Sequence, residues 1–328
     1  MKKLFLLPLL ALGFTACSST GAKVDSATAD NTVDSLTSVV YHIKDITPEN
    51  LIKVYEALGK EAKGEKVAVK ISTGESNKSN HLDTALIKDF VHKINGIFVE
   101  CNTAYAGNRN TTEAHLQAAK DHGFMDIAQV DIMDAEGDTT ITIEGGYHLP
   151  YDIVGKNFMN YDFLVVLSHF KGHQMGGFGG ALKNISIGIG SSDGKAFIHS
   201  AGKTDKADEI WQNVAEQDDF LESMADASKA IIEHMGDNIL YINVANRLSV
   251  DCDCNGKPAE PKMGDLGIYA SLDPVALDKA CVDAVFNSDD PGKEDLIERI
   301  NSRHGTHLLD AAEKLGLGSQ KYKVVEIE

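Results

Sequence analysis

The chain is poor in cysteine and in positive charge, and each shortage excludes a class of protein. Five cysteines occur in 328 residues, and no Cys-x-x-Cys spacing is among them. That excludes ferredoxin-type four-iron clusters, which need four thiolates in close runs. Lys183 is preceded by Leu182 and followed by Asn184, so the Gly-Lys-Ser/Thr ending of a Walker A loop is missing, and no Rossmann fingerprint occurs. Ser168 beside His169 lacks the Gly-x-Ser-x-Gly elbow of a serine hydrolase. Lysine and arginine number 31 against 49 acidic residues, a formal charge of −18. Phosphate backbones repel such a chain, which excludes nucleic acid as a partner. Beyond the first 16 residues no apolar stretch approaches the 18 or so residues that a membrane-crossing helix requires.

What is present begins with an export signal. Lys2 and Lys3 precede an apolar run, Leu4 to Phe14, which is too short to span a bilayer as a helix. Thr15-Ala16-Cys17 then supplies small residues and a thiol, the requirement for lipoprotein processing rather than for ordinary secretion. Phe14 stands where leucine is usual. The expectation is a signal peptide over 1–16, acylation of Cys17, and a cell-envelope protein held at a membrane through that lipid anchor alone. Residues 18–37, rich in Ser, Thr, Ala and Asp without apolar period, read as a flexible tether.

From about residue 38 a single α/β domain is expected. Strand-like segments at 66–71, 97–101 and 127–133 alternate with helical ones that start at Asp83 and Thr112. Phe163 to Leu167 is wholly apolar, as in a parallel strand buried on both faces. Thr47-Pro48 and Asp273-Pro274 place a capping side chain before a proline at the first helical position. Repeated strand–helix–strand order predicts a mostly parallel sheet with helices on both faces, and about 290 residues leave room for two lobes.

Polar loops that follow such strands share the carboxyl edge of the sheet, where ligands bind. Ser168 to Gly190 is the densest. His169, Lys171, His173 and Lys183 are its donors, Gly176, Gly177, Gly179 and Gly180 expose backbone N–H groups, and Asn184 follows. His169, His173 and Lys171 are the candidate catalytic groups. The loop after the 97–101 strand offers Asn102, Tyr105 and Arg109, the last suited to clamping a carboxylate or phosphate. Glu75, in the loop after 66–71, and Asp265 are candidate carboxylates. Cys252 and Cys254 form a Cys-x-Cys pair that either binds a divalent metal with help from His199, forms a disulfide, or remains as two thiols. The remaining histidines, among them His304 and His307, read as scattered surface or core residues. The reading is a crevice for a small anionic molecule, with or without a metal. It is catalytic or, alternatively, a capture site or a Cys-based redox module.

At these same residues the chain resembles the family known as domain of unknown function 362, labelled "uncharacterised Fe–S centre protein". The resemblance runs from about Val67 to the C-terminus and is carried by Ala104 to Arg109 with His115 and Gly123-Phe124, Leu167 to His173, Gly176 to Asn184, Cys252-Asp253-Cys254, Asp265-Leu266-Gly267, Ala270 to Asp278, and Gly316-Leu317-Gly318 with Tyr322. It implies a shared binding or catalytic core. Many members carry a ferredoxin insert after the position of His199, and here Ala201 to Asp219 holds no cysteine. The expectation is a lipoprotein variant without that insert, to which the iron–sulfur label does not transfer on membership alone. In membrane fractionation, Cys17→Ala is expected to move the chain from the membrane pellet to the soluble fraction. Unchanged, firm membrane association of the variant would refute the anchor.

Overall fold

The computed structural model describes Met1, residues 37–76 and residues 78–328. Cys17 and the expected tether lie outside the described residues. Residues 37–328 belong to one compact unit.

The elements in chain order are β1 (Ser38–Ile43), α1 (Pro48–Ala57), β2 (Val67–Lys70), α2 (Thr84–Lys93), β3 (Gly96–Glu100), α3 (Thr112–Asp121), β4 (Val130–Ile132), β5 (Asp138–Thr142) and β6 (Tyr151–Gly155). They continue as β7 (Phe163–His169), β8 (Lys171–His173), β9 (Gly177–Gly179), α4 (Ala181–Ile185), α5 (Ser192–His199) and α6 (Gln217–Met235). The chain closes with β10 (Ile239–Ala245), β11 (Gly267–Ser271), α7 (Pro274–Phe286), α8 (Lys293–Ser302), α9 (His307–Lys314) and β12 (Tyr322–Glu326). Thr47, Asp83 and Asp273 cap α1, α2 and α7 by accepting backbone N–H groups of their first turns.

Eight strands form one sheet in the order β12-β1-β11-β10-β7-β2-β3-β4. β11 alone runs against its neighbours, and the other pairings are parallel. The sheet is mostly parallel with a core on each face, as its strand pattern requires. Along β7, Leu164 and Val166 face one core, and Phe163, Val165 and Leu167 face the other. The chain runs outward from β2 through β3 to β4, then returns to place β7 on the other side of β2. The carboxyl ends of β2 and β7 therefore flank the topological switch point of the sheet, where a crevice forms because the connections leave in opposite directions.

Two expectations change. The strand expected over 127–133 shortens to β4, because Phe124–Asp126 forms a 3-10 turn that Gly123 enters at a φ of 83°. The segment from Ser168 to Gly190 is not an open loop. It folds into the β8–β9 hairpin, with Lys171 opposite Gly179 and His173 opposite Gly177, and then into α4.

α4 has no capping side chain of its own. Buried Asp278 of α7 supplies one, accepting from the Ala181 and Leu182 N–H groups at 2.8 and 3.0 Å and from Asn243 of β10 at 2.7 Å. A Cβ on Gly180 would stand 2.3 Å from the Asp278 carboxylate, so only glycine admits this approach. Asp278→Ala leaves those donors unsatisfied and is expected to cost about 2–4 kcal/mol. Urea denaturation checks this. A change under about 0.5 kcal/mol, the scale of an ordinary surface substitution, would show that α4 does not depend on the contact.

Candidate functional site

A cavity of about 480 Å³ opens at the switch point. Lys70, the last residue of β2, forms part of its floor, and α4 contributes Lys183 and Asn184. The loop after β2 supplies Ser72 and Glu75, the loop after β3 supplies Thr103, Tyr105 and Arg109, and α5 supplies Lys195 and His199. His173 and Cys254 complete one wall, and Trp211, 60 % exposed, stands at the mouth. An annex of about 30 Å³, the room of one or two waters, adjoins it and is lined by Lys171, His169, Asp253, Gly179 and Gly180.

Glu100, at the carboxyl end of β3, organises the first wall. It accepts from the Thr73 N–H and hydroxyl at 3.1 and 2.8 Å, from Arg109 at 3.4 Å and from the His115 imidazole. Burial opposes its charge, yet His115 and Arg109 hold the carboxyl well below the usual range. Arg109 also donates to Glu75 at 3.1 Å, and Glu75 accepts from the backbone N–H of Asn108. The guanidinium is thus braced by two carboxylates at the cavity edge. On the other side, buried Asp253 accepts from Lys171 at 3.0 Å and lies 3.0 Å from His169 Nδ1.

The three cavity lysines differ from these pairs. Lys70 donates to the Ile71 carbonyl at 2.6 Å and to Asn184 at 3.1 Å, and Lys195 donates to the Gly190 carbonyl. Among the described residues, no carboxylate pairs with Lys70, Lys183 or Lys195, and no hydrogen-bond partner meets the Lys183 ammonium. Burial pushes Lys183 down to about 7, with Lys171, Lys70 and Arg109 adding to the shift. Burial likewise takes Lys70 down to about 8 against the pull of Glu100.

The two cavity histidines have complementary tautomers. His173 Nδ1 accepts from the Gly176 N–H at 2.9 Å, which leaves the proton on Nε2 and makes that atom a donor. His199 Nδ1 lies 2.7 Å from the Lys195 carbonyl and must donate to it, so Nε2 carries the lone pair. Burial lowers His173 well below its ordinary value, followed by the Lys183 charge, and lowers His199 to about 4. Both are neutral at pH 7, one presenting a donor and the other a base.

Several expected site residues serve elsewhere. His169 is locked between Asp253 and the Asn246 carbonyl, 2.7 Å from Nε2, with both ring nitrogens engaged, so it is no catalytic group or ligand. Lys171 lines the annex rather than the main cavity and is bound to Asp253 and the His169 carbonyl. Gly176 and Gly177 line neither space. A Cβ on Gly177 would meet Gly305 at 2.9 Å, so that glycine permits backbone crossing. Asn102 turns away, its side chain donating to Thr112 at 3.1 Å. Asp265 is exposed and accepts from the Arg247 N–H at 2.7 Å, fixing a turn. Of the expected alternatives for Cys252 and Cys254, the structure shows the disulfide, which occupies both sulfurs; once reduced, the two would group with a histidine as metal-ligand types. The imidazole beside those sulfurs is His173, not His199, and its Nε2 holds a proton. Free Cys101 and Cys281 are each buried singly, so no iron–sulfur centre fits the described cysteines.

The sequence reading missed Lys70, Lys195 and Trp211, and it placed Glu100 at the head of the loop after the 97–101 strand without giving it a role. Lys70 and Glu100 had a signal, a charge closing an otherwise apolar parallel strand, whereas Lys195 and Trp211 had none.

The family described as "Domain of unknown function (DUF362)" matches residues 67–283. The chain belongs to this family. The matched residues contain both networks and all three lysines, so the cavity lies within the family's own domain. Among solved structures, the chain is similar to the lactate racemase apoprotein from Thermoanaerobacterium thermosaccharolyticum, with 19% identity over 64% of this chain and 51% of that one, and a TM-score of 0.37. It is also similar to a structural-genomics protein from Thermotoga maritima, with 16% identity over 72% of this chain and 57% of that one, and a TM-score of 0.42. The chain spans little more than half the length of either. No curated protein matches it.

Thiol labelling followed by peptide mass spectrometry checks the cysteine assignment. Cys101 and Cys281 are expected to react only after denaturation, and Cys252 and Cys254 only after reduction. Native labelling of Cys252 or Cys254 without reductant would return the metal set to consideration.

Proposed function

We propose that this protein is an envelope lipoprotein whose domain binds a small organic anion in the switch-point cavity and transfers protons to and from it. The observation that carries the reading is the set of lysines around one cavity, Lys70 and Lys195 buried and Lys183 half-buried, with no carboxylate paired to any of them among the described residues. Uncompensated buried charge is costly, and a bound anion removes the cost. In a chain of formal charge −18, such a pocket favours carboxylate or phosphate over its surroundings.

Proton transfer draws support from the groups that remain. Lys183, near pH 7 in its titration, exchanges a proton readily under neutral conditions. His199 Nε2 is an accepting base and His173 Nε2–H a donor on the same cavity. Lys70 and Lys195 hold the anion, and Arg109 is kept rigid by Glu75 and Glu100. A site of this composition suits proton removal beside a carboxylate, where developing negative charge meets ammonium groups.

The only tryptophan in the sequence, Trp211, reports directly on the cavity mouth. Titration of the full chain with phosphate, monocarboxylates and dicarboxylates is expected to change its fluorescence in a saturable manner. Because the Lys183 ammonium is charged below about 7 and neutral above it, affinity should fall as the pH rises from 6 to 8. Lys183→Met should bind at least about tenfold more weakly, the scale of one charge-assisted contact, and lose that pH step. Absence of saturable binding of all three anion classes would overturn the reading. Binding without exchange of ligand protons for deuterium in heavy water would reduce it to capture.

A further inference from the structure

A second cluster of ligand-type side chains lies outside this cavity, and none of its members lines it. Three segments build it. The first turns of α6 carry Asp218, Asp219 and Glu222. The turn from α8 into α9 carries His304 and His307. The loop before β6 carries His148.

Asp218 and Glu222 are four residues apart on one helix, which sets them on the same face. His304 and His307 stack with ring centroids 5.1 Å apart and present their nitrogens to that face. His304 Nδ1 lies 2.7 Å from Asp218 Oδ1, and His307 Nε2 lies 3.1 Å from Glu222 Oε1. The donor atoms of Asp218, His304 and His307 all fall within 4.8 Å of one another. The second oxygen of Glu222 is 2.7 Å from His148 Nε2.

The geometry points to a divalent transition-metal site, of zinc class, formed by Asp218, His304 and His307. Two imidazoles and one carboxylate are a donor set of borderline cations and disfavour calcium and magnesium, which take oxygen donors alone. Glu222, 3.1 Å from His307 Nε2 and held at its other oxygen by His148, orients that imidazole as outer-shell carboxylates of metal-ligating histidines do. The side chains are half-exposed, with His307 and Glu222 at 22% and 20% and His304 and Asp218 at 58% and 50%, so an ion reaches them from solvent. A bound ion would join the start of α6 to the α8–α9 turn. On its other face α6 meets the cavity wall, where Phe220 stacks on His199 at 4.8 Å.

The ordinary alternative is two histidine–carboxylate hydrogen bonds with no affinity for metal. Chelator-stripped full chain titrated with zinc chloride distinguishes the two, with elemental analysis after dialysis. One zinc per chain is expected, together with a rise in thermal midpoint. His304→Ala combined with His307→Ala should abolish both effects, and Glu222→Gln should weaken binding about 10–100-fold, as loss of an outer-shell partner does. Lys183→Met, confined to the cavity, should leave zinc binding unchanged. Failure of the wild type to retain zinc, or retention of one zinc by the double histidine variant, would overturn the proposal.

Discussion

Burial of cationic side chains at the carboxyl ends of β2 and β7 is the constraint on which the rest of the structure depends. Lys70 ends a strand that is buried on both faces, so its ammonium cannot reach bulk water. The fold meets this demand with an Asn184 side chain and a carbonyl, not with a carboxylate. Lys183 and Lys195 then add charge to the same space. The acidic groups nearby are already committed, Glu100 to His115 and Arg109, and Asp253 to Lys171 and His169. These commitments keep the cavity cationic in a strongly acidic protein.

Much of the surrounding architecture serves to fix those charges. α4 is only five residues long and would not hold its place by propensity alone. Asp278 reaches it from α7, and Asn243 from β10 secures Asp278 in turn. The Glu75–Asn108–Arg109 contacts join the loops after β2 and β3, and the Glu75 N–H donates to the Asp253 carbonyl at 3.0 Å. The two carboxylate networks are thereby one framework around the cavity, and the Cys252–Cys254 disulfide closes the turn that presents Asp253.

The same framework accounts for which site residues were legible beforehand. A wholly apolar β7 and the strand–helix alternation announced a parallel sheet, because burial on both faces leaves no room for polar alternation. The Gly/Lys/His run after β7 announced a binding edge, and it does supply His173 and Lys183. Its glycines were less informative, since close backbone packing needs the same residue as close approach to a ligand. Gly177 packs on Gly305, whereas Gly179 and Gly180 reach the annex.

The sequence by itself determined the strand–helix alternation from β2 to β4, the doubly buried β7, the capping residues Thr47, Asp83 and Asp273, and the family to which the chain belongs. These are local or periodic properties, set by side-chain spacing along the backbone. Only the tertiary structure decided which charges are paired and which are free. His169 and Lys171 stand in the same short run as His173, yet Asp253, more than 80 residues away, engages the first two and leaves the third to the cavity. Lys195 gains its place only because α5 packs against β6 and α6. The pairing of Asp218 and Glu222 with His304 and His307 likewise spans some 85 residues. Charge compensation depends on distance in space, and chain separation carries no record of it.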